Sequence, residues 1–243
     1  MLWLRNLKIH FRVPSQIAVS LAQPLLLLLT LGFGLGPVYA KAGNGSYIQF
    51  MTPGVMGMTV LFSAAISGMD LLWYRQFGFL KEILVAPVPR SHVLLGLTLG
   101  GSSVAVLQGT LVLIACIVVG FRPVDFLSVP AALLTMTLIA IAFGALGTAI
   151  SSRLESIRAY PLFTNFLLMP LFFLSGALFP LDGLPKPLQA ITNLNPLSYG
   201  VDALRDSLTG ITHYGLGFDW CVLIAVASVF VLLGAYSFSK IQL

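Results

Sequence analysis

Residues 129–150 read VPAALLTMTLIAIAFGALGTAI, a run without one charged side chain. At 1.5 Å per residue a helix of that length reaches about 33 Å, enough for the roughly 30 Å hydrocarbon layer of a bilayer. Comparable apolar runs lie at about 17–36, 51–72, 93–119, 160–179 and 219–238. Of the 243 residues, 58% are hydrophobic and 9% charged, whereas a water-soluble domain carries about 25% charged residues. A soluble core does not explain so little charge, because a chain of this size still needs a polar surface. The pattern predicts an all-α integral membrane protein, one domain over 1–243, with six transmembrane helices. The opening MLWLRNLKIHFRVPSQ spreads its charges over residues 1–16, and the next apolar run lacks a small-x-small cleavage site. It reads as a retained segment, not a cleaved signal.

The Lys and Arg residues divide unevenly between alternate connections. One set holds Arg5, Lys8, Arg12, Arg75, Lys81, Arg90, Arg153, Arg158 and Lys240; the other holds Lys41, Arg122, Lys186 and Arg205. Positive residues favour the cytoplasmic side, so both termini are expected there. The net charge of +5 thus follows membrane sidedness, and no nucleic-acid partner is expected. In residues 1–16, Trp3, Leu4, Leu7 and Phe11 fall at helical spacing with the basic residues elsewhere on the wheel. That suits a helix lying in the inner interface, although a flank that merely retains the first span would look similar.

Chemistry-bearing clusters are missing from the sequence. His10, His92 and His213 are far apart in sequence, and neither HExxH nor GxxxxGK[ST] occurs. Cys116 and Cys221 sit in or at the edge of apolar runs and read as small core residues. No catalytic residue and no metal site is therefore expected. Asp70 is the only acid inside a run; it reads equally as a functional charge or as an ion pair with Arg75. Polar residues within the runs are scattered Ser, Thr and Asn, without the polar rows a channel would show. Gly32 with Gly36, Gly96 with Gly100, and Gly144 with Gly147 are expected at close helix contacts. Pro170 predicts a kink in the fifth run.

Two connections stand out. GFLKEILVAPVPR, residues 78–90, places a short helix between two apolar runs and ends it at Pro87 and Pro89. Phe77, Leu80 and Leu84 share a face with Ile83 beside it, while Lys81 and Glu82 lie off that stripe. Such a helix reads equally as a lever held in a groove of a soluble partner or as a helix resting in the inner headgroups. The other connection, 180–218, is cut by Pro180, Pro185, Pro187 and Pro196. Asn195 before Pro196 marks a helix start, and Gly210 its end. Leu197, Val201, Leu204 and Leu208 form an apolar stripe, with Leu184, Leu188 and Ile191 upstream. The pair is expected to dip into the outer leaflet and pack against the bilayer or a partner subunit, or else to rest on the surface as an ordinary loop.

FGFLKEILVAPVPR and NPLSYGVDALRDSLTG together resemble the two signatures of type-2 ABC export permeases, in particular the daunorubicin-resistance and nodulation-factor branch. The likeness covers nearly the whole chain. Where many members carry acidic residues, this sequence has Tyr74 and Gln76. The resemblance implies a non-catalytic subunit that pairs with a second copy in the bacterial inner membrane. Two separate ATPase subunits would bind from the cytoplasm and hold the ATP and Mg; no cofactor is expected in this chain. Residues 75–86 would be the coupling helix, with Phe77, Phe79, Leu80, Lys81, Glu82, Ile83, Leu84, Pro87 and Arg90 facing the ATPase. The segment 180–213 would form a re-entrant outer gate carrying Asn195, Pro196, Leu197, Tyr199, Asp202, Leu204 and Arg205. The implied cargo is an amphiphile: a drug-like or lipid-like molecule, or a lipid-linked or modified oligosaccharide.

Overall fold

The computed structural model describes residues 12, 14–41, 45–79, 90–154, 156–181 and 185–239, with the side chains at 14–17, 90 and 91 left undescribed. Every regular element among the described residues is helical. In chain order these are α1 (Pro14–Lys41), α2 (Tyr47–Ser67), α3 (Met69–Gln76), α4 (Arg90–Val119), α5 (Val129–Arg153), α6 (Ala159–Phe173), α7 (Lys186–Leu194), α8 (Pro196–Thr209) and α9 (Leu216–Ser239), with a 3-10 turn at Phe126–Ser128 before α5. Most of the expected interfacial helix of 1–16, and residues 80–86 of the expected coupling helix, lie outside the described residues.

Among the described residues, five helical stretches are long and apolar enough to cross a bilayer: Ala18–Lys41, Tyr47–Gln76, His92–Val119, Phe126–Arg153 and Leu216–Ser239. The fifth apolar run behaves differently. Its helix, α6, stops after 15 residues, about 22 Å, short of the hydrocarbon thickness. Pro170 lies near its end and supplies no N–H to the preceding turn. Three residues after Pro170 the helix ends, and Gly176 turns the chain at φ 73°, a left-handed conformation that only glycine adopts without penalty. The expected kink is therefore a stop.

The core lies where α2 and α5 cross. α9 packs mainly on α5, α4 on both α2 and α5, and α1 on the outer side of α2. Leu28, Met51, Val60, Leu61, Met136, Ile139 and Phe143 are fully buried among these helices. One very close approach is between glycines. A Cβ at Gly68 would overlap the backbone of Gly147, and one at Gly147 would overlap the Ala65 carbonyl. The break between α2 and α3 falls at this contact. The Ala65 carbonyl accepts from the Gly68 N–H and from the Tyr160 hydroxyl, so the regular ladder is interrupted there and the interruption is satisfied. Of the glycines that spacing points to, Gly147 meets a neighbour closely, whereas Gly36 faces open space. Gly54, against Ala177, and Gly109, against Val60 and Met136, are close contacts that spacing does not mark.

Candidate functional site

The chain breaks open at one end of α6. Residues 174–179 carry backbone carbonyls without helical partners, in a setting where water is scarce, so other groups must satisfy them. α8 and its cap residue satisfy two of them, at Leu174 and Gly176, and the Leu171 carbonyl before them. Asn195 caps α8, its Oδ1 accepting from the Leu197 N–H at 3.0 Å, while its Nδ2 donates to the Leu171 carbonyl at 2.6 Å. The Ser198 hydroxyl donates to the Leu174 carbonyl at 3.4 Å, and Arg205 to the Gly176 carbonyl at 2.8 Å. The Arg205 guanidinium also stands 4.3 Å from the centre of the Phe50 ring, a favourable cation–π distance. The Tyr47 hydroxyl adds a bond to the Leu178 carbonyl at 2.8 Å.

Asp202 closes the other side of the same helix face. Its carboxylate accepts from the N–H groups of His213, at 2.9 and 3.0 Å, and Tyr214, at 2.8 Å, and from the Thr212 hydroxyl at 3.2 Å. The chain after α8 is thereby pinned, with Gly210 at φ 70° ending the helix. The Tyr199 hydroxyl donates to the Asn193 carbonyl at 2.7 Å, and the Tyr214 hydroxyl to Asn193 Oδ1 at 2.5 Å. Burial first, then Tyr199, Asp202 and Asp219, raise the Tyr214 phenol above its usual range, which keeps its proton in that bond. Residues 195, 198, 202 and 205 follow the 3-4-3 spacing of one helix face. They form a clamp on irregular backbone.

This clamp fixes the rotation of α8 and corrects one expectation. The stripe Leu197, Val201, Leu204 and Leu208 does not meet the bilayer or a partner; all four are fully buried in the chain's own core. α8 packs on α2, α5 and α9. Because the polar face must reach the open carbonyls of 171–176, the apolar face is turned inward. The exposed apolar residues of this segment lie on α7 instead, at Ile191 and Leu194.

At the opposite end, Trp73 and Phe77 stack at 5.2 Å with rings 5° from parallel, and both are exposed. They border a shallow cleft with Ile157 and Arg158. Arg75 donates to the Leu154 carbonyl at 3.4 Å, tying α3 to the end of α5. Phe79 is exposed. Leu80, Lys81, Glu82, Ile83, Leu84 and Pro87 lie outside the described residues, and Arg90 opens α4.

Between these ends a cavity of about 600 Å³ lies among α1, α2, α3, α4 and α6. Gln23 of α1 and Asn165 of α6 are exposed at its mouth, while Thr59 and Gln108 are buried behind them. Ser63 and Ser67 lie between, and Asp70 and Tyr74 line the end nearest the Trp73–Phe77 stack. Asp70 thus faces a cavity, and it also takes part in an interaction within the chain. No group of three or more His, Cys, Asp or Glu able to hold a metal occurs among the described residues.

A membrane bundle with a flank cavity of mixed lining, a short sixth apolar helix and a clamped break suits a transport protein. Comparison with known families decides which kind. The ABC-2 type transporter family matches residues 1–209. The chain belongs to this family. Its relatives are transport permeases and nodulation proteins. The transport permease ycf38 of Porphyra purpurea is 31% identical over 201 residues, which cover 80% of this chain and 68% of the relative. Nodulation protein J of Rhizobium meliloti is 27% identical over 219 residues, 88% of this chain and 83% of the relative. Nodulation protein J of Bradyrhizobium diazoefficiens is 28% identical over 210 residues, 84% and 78% respectively.

In this ABC-2 permease the structure gathers Asn195, Asp202 and Arg205 into one clamp, and it places Pro196 in the first turn of α8. Sequence reasoning missed Ser198 as a member of that clamp, although its position three residues after Asn195 was a usable signal. It also missed Gln23, Ser63, Gln108 and Asn165 as a group. They lie in four different apolar runs, and nothing in linear spacing joins them.

Proposed function

We propose that this permease is the membrane-spanning subunit of an ATP-driven exporter in a bacterial inner membrane. Two copies pair, and two separate ATPase subunits attach at residues 75–86 and hold the ATP and Mg. The cargo is an amphiphile, either drug-like or lipid-like or a modified oligosaccharide, that leaves past the α7–α8 segment. The observation that carries this reading is the cavity on the flank of the bundle in an ABC-2 chain, a mostly apolar space with a few polar side chains in its wall. It offers an amphiphile's head a polar environment next to hydrocarbon, and the sequence offers no ATP-binding loop of the P-loop kind to drive the step. A channel would need a continuous polar row, and a membrane transferase a set of acid–base residues.

The test is recovery of the ATPase encoded beside the permease. Leu84→Asp places a charge in the face proposed to fill the ATPase groove. An unpaired charge in a desolvated contact costs about 2–5 kcal/mol, and each 1.4 kcal/mol is about tenfold in affinity. Recovery from detergent at equal permease levels is expected to fall at least tenfold. Undiminished recovery would reject 75–86 as the attachment point and favour a helix resting on lipid.

Sidedness has its own test. With Cys116 and Cys221 replaced, single cysteines at Lys41 and Lys186 are expected to react with an impermeant maleimide in sealed cells. A cysteine at Ser156 is expected to stay unlabelled until the cells are opened. Labelling of position 156 from outside would invert the proposed arrangement.

A further inference from the structure

One carboxyl at the clamped end of the bundle is left without a donor. Asp219, in the first turn of α9, is fully buried, and among the described residues no donor reaches either of its oxygens. Beside it, within hydrogen-bonding reach, is the carboxyl of Asp202 on α8, itself 3% exposed. The donors around Asp219 are committed elsewhere. The Tyr199 and Tyr214 hydroxyls go to Asn193. The Thr212 hydroxyl and the N–H groups of His213 and Tyr214 go to Asp202. The Trp220 indole N–H donates to the Thr135 hydroxyl at 2.9 Å, and the Asp219 N–H closes back on the Gly215 carbonyl at 3.1 Å.

An ionised Asp219 would be a buried charge with no donor, facing a second carboxylate, and both circumstances oppose the charge. The start of α9 favours negative charge, but its N–H groups do not bond these oxygens. The charged and titratable groups at this end offer no countercharge. α8 brings Tyr199, Asp202 and Asp206, and the corner after it brings His213 and Tyr214. Arg205 donates to the Gly176 carbonyl and stands over the Phe50 ring. Arg122 and Asp125, before α5, are exposed. α4 and α5 pack on α9 but carry Arg90, His92 and Arg153 at their far ends. Asp202 retains room for one more donor. Its Oδ2 accepts three bonds and its Oδ1 only one, from the His213 N–H, whereas each carboxylate oxygen has about two acceptor sites.

We infer that Asp202 and Asp219 form a proton-binding site, in which Asp219 is held as the neutral acid and its O–H donates to the Asp202 carboxylate, tying the start of α9 to α8. The pair binds and releases one proton as a unit. On release the proton passes to solvent and two buried carboxylates remain face to face, so their repulsion works against the α8–α9 contact. α8 also holds the carbonyls of 171–176, and the shared proton therefore steadies the whole clamp. The sign follows from linkage: a buried acid that is neutral when folded contributes stability at acidic pH, and that stability is lost as pH rises. The site stands independently of the export reading; with the sidedness proposed above, the pH it answers to is the external one.

The experiment follows the full-length permease in phosphatidylcholine nanodiscs from about pH 5 to about pH 9, above the ordinary carboxylate range. Two quantities are read: the infrared C=O stretch of a protonated carboxyl, and the apparent thermal midpoint. The protonated-carboxyl band is expected at the acidic end and lost toward the alkaline end, absent from Asp219→Asn and retained in Asp70→Asn. In Asp219→Asn an amide N–H takes the place of the shared proton at every pH. The wild-type midpoint is therefore expected to fall across the range by about 5 °C or more beyond that of Asp219→Asn. A band that survives Asp219→Asn, or equal falls in the two proteins, would overturn the site. If Asp219→Asn is not recovered folded, Asp202→Asn replaces it; this variant weakens the acceptor and is expected to shift the band, and an unshifted band would overturn the pairing. A wild-type protein without the band, stabilised by calcium and destabilised by EDTA, would overturn the shared proton in favour of a bound cation.

Discussion

Leu204→Asp is expected to remove most of the folded permease from the membrane, not merely to slow export. Leu204 is fully buried on the face of α8 that packs against α2, α5 and α9. With no exposed surface at this position, a carboxylate there would not reach water without moving the helices. An uncompensated buried charge costs several kcal/mol, or the group takes up a proton and still lacks partners. Against a total stability of about 5–15 kcal/mol for a typical domain, that is a large fraction. The measurement is the monodisperse fraction of a fluorescent fusion on size exclusion, together with its thermal midpoint. A loss of at least tenfold in the monodisperse peak is expected. Leu204→Met conserves volume and is expected to cost under about 1.5 kcal/mol. A Leu204→Asp protein that is well folded but inactive would instead support the stripe as a surface against lipid or a partner.

Gly147→Val is expected to have the second-largest effect, and for a different reason. Here no polarity is introduced. The new Cβ would overlap the Ala65 carbonyl and lie 2.8 Å from the Tyr160 hydroxyl oxygen. Those two groups are hydrogen-bonded to each other, so the substitution both separates two helix backbones and displaces a satisfied polar pair. Overpacking alone typically costs about 1–3 kcal/mol, and a lost bond to a buried carbonyl adds about 1–3 kcal/mol. For a chain of this size 1 kcal/mol corresponds to about 2–4 °C in midpoint, so a fall of about 5–15 °C is expected. Gly144→Ala, three residues earlier on α5, is the control. Its nearest neighbours, Ser102 Oγ at 3.3 Å and Thr98 Cγ2 at 3.6 Å, are side-chain atoms with room to adjust, and a shift of under about 3 °C is expected. Equal effects at the two glycines would mean that the α2–α5 crossing is looser than the backbone contact implies.

The contrast between these two glycines shows how far the sequence reaches. Residues 129–150 declare a membrane helix by themselves, because the cost of an unsatisfied backbone in hydrocarbon forces a long apolar run into one conformation. Asn195, Pro196 and Gly210 likewise mark the ends of α8, since caps and turns depend on neighbours a few residues away. The two signatures carry the family. Rotation about each helix axis is another matter. Apolar residues surround most of these helices, and when all sides are equally oily, periodicity does not say which side is inward. That is why spacing does not tell Gly147, which makes a close contact, from Gly36, which makes none; the Leu197–Leu208 stripe is legible, but it turns into the core because the polar face of α8 reaches the carbonyls of 171–176. It is also why α6 ends at Phe173: Pro170 weakens the helix, but the break holds only because Asn195, Ser198 and Arg205 of a later segment take up its carbonyls. Gln23, Ser63, Gln108 and Asn165 look like strays in four separate runs. Only tertiary packing, which sets helix rotation and neighbour choice through contacts distant in sequence, brings them to face one cavity.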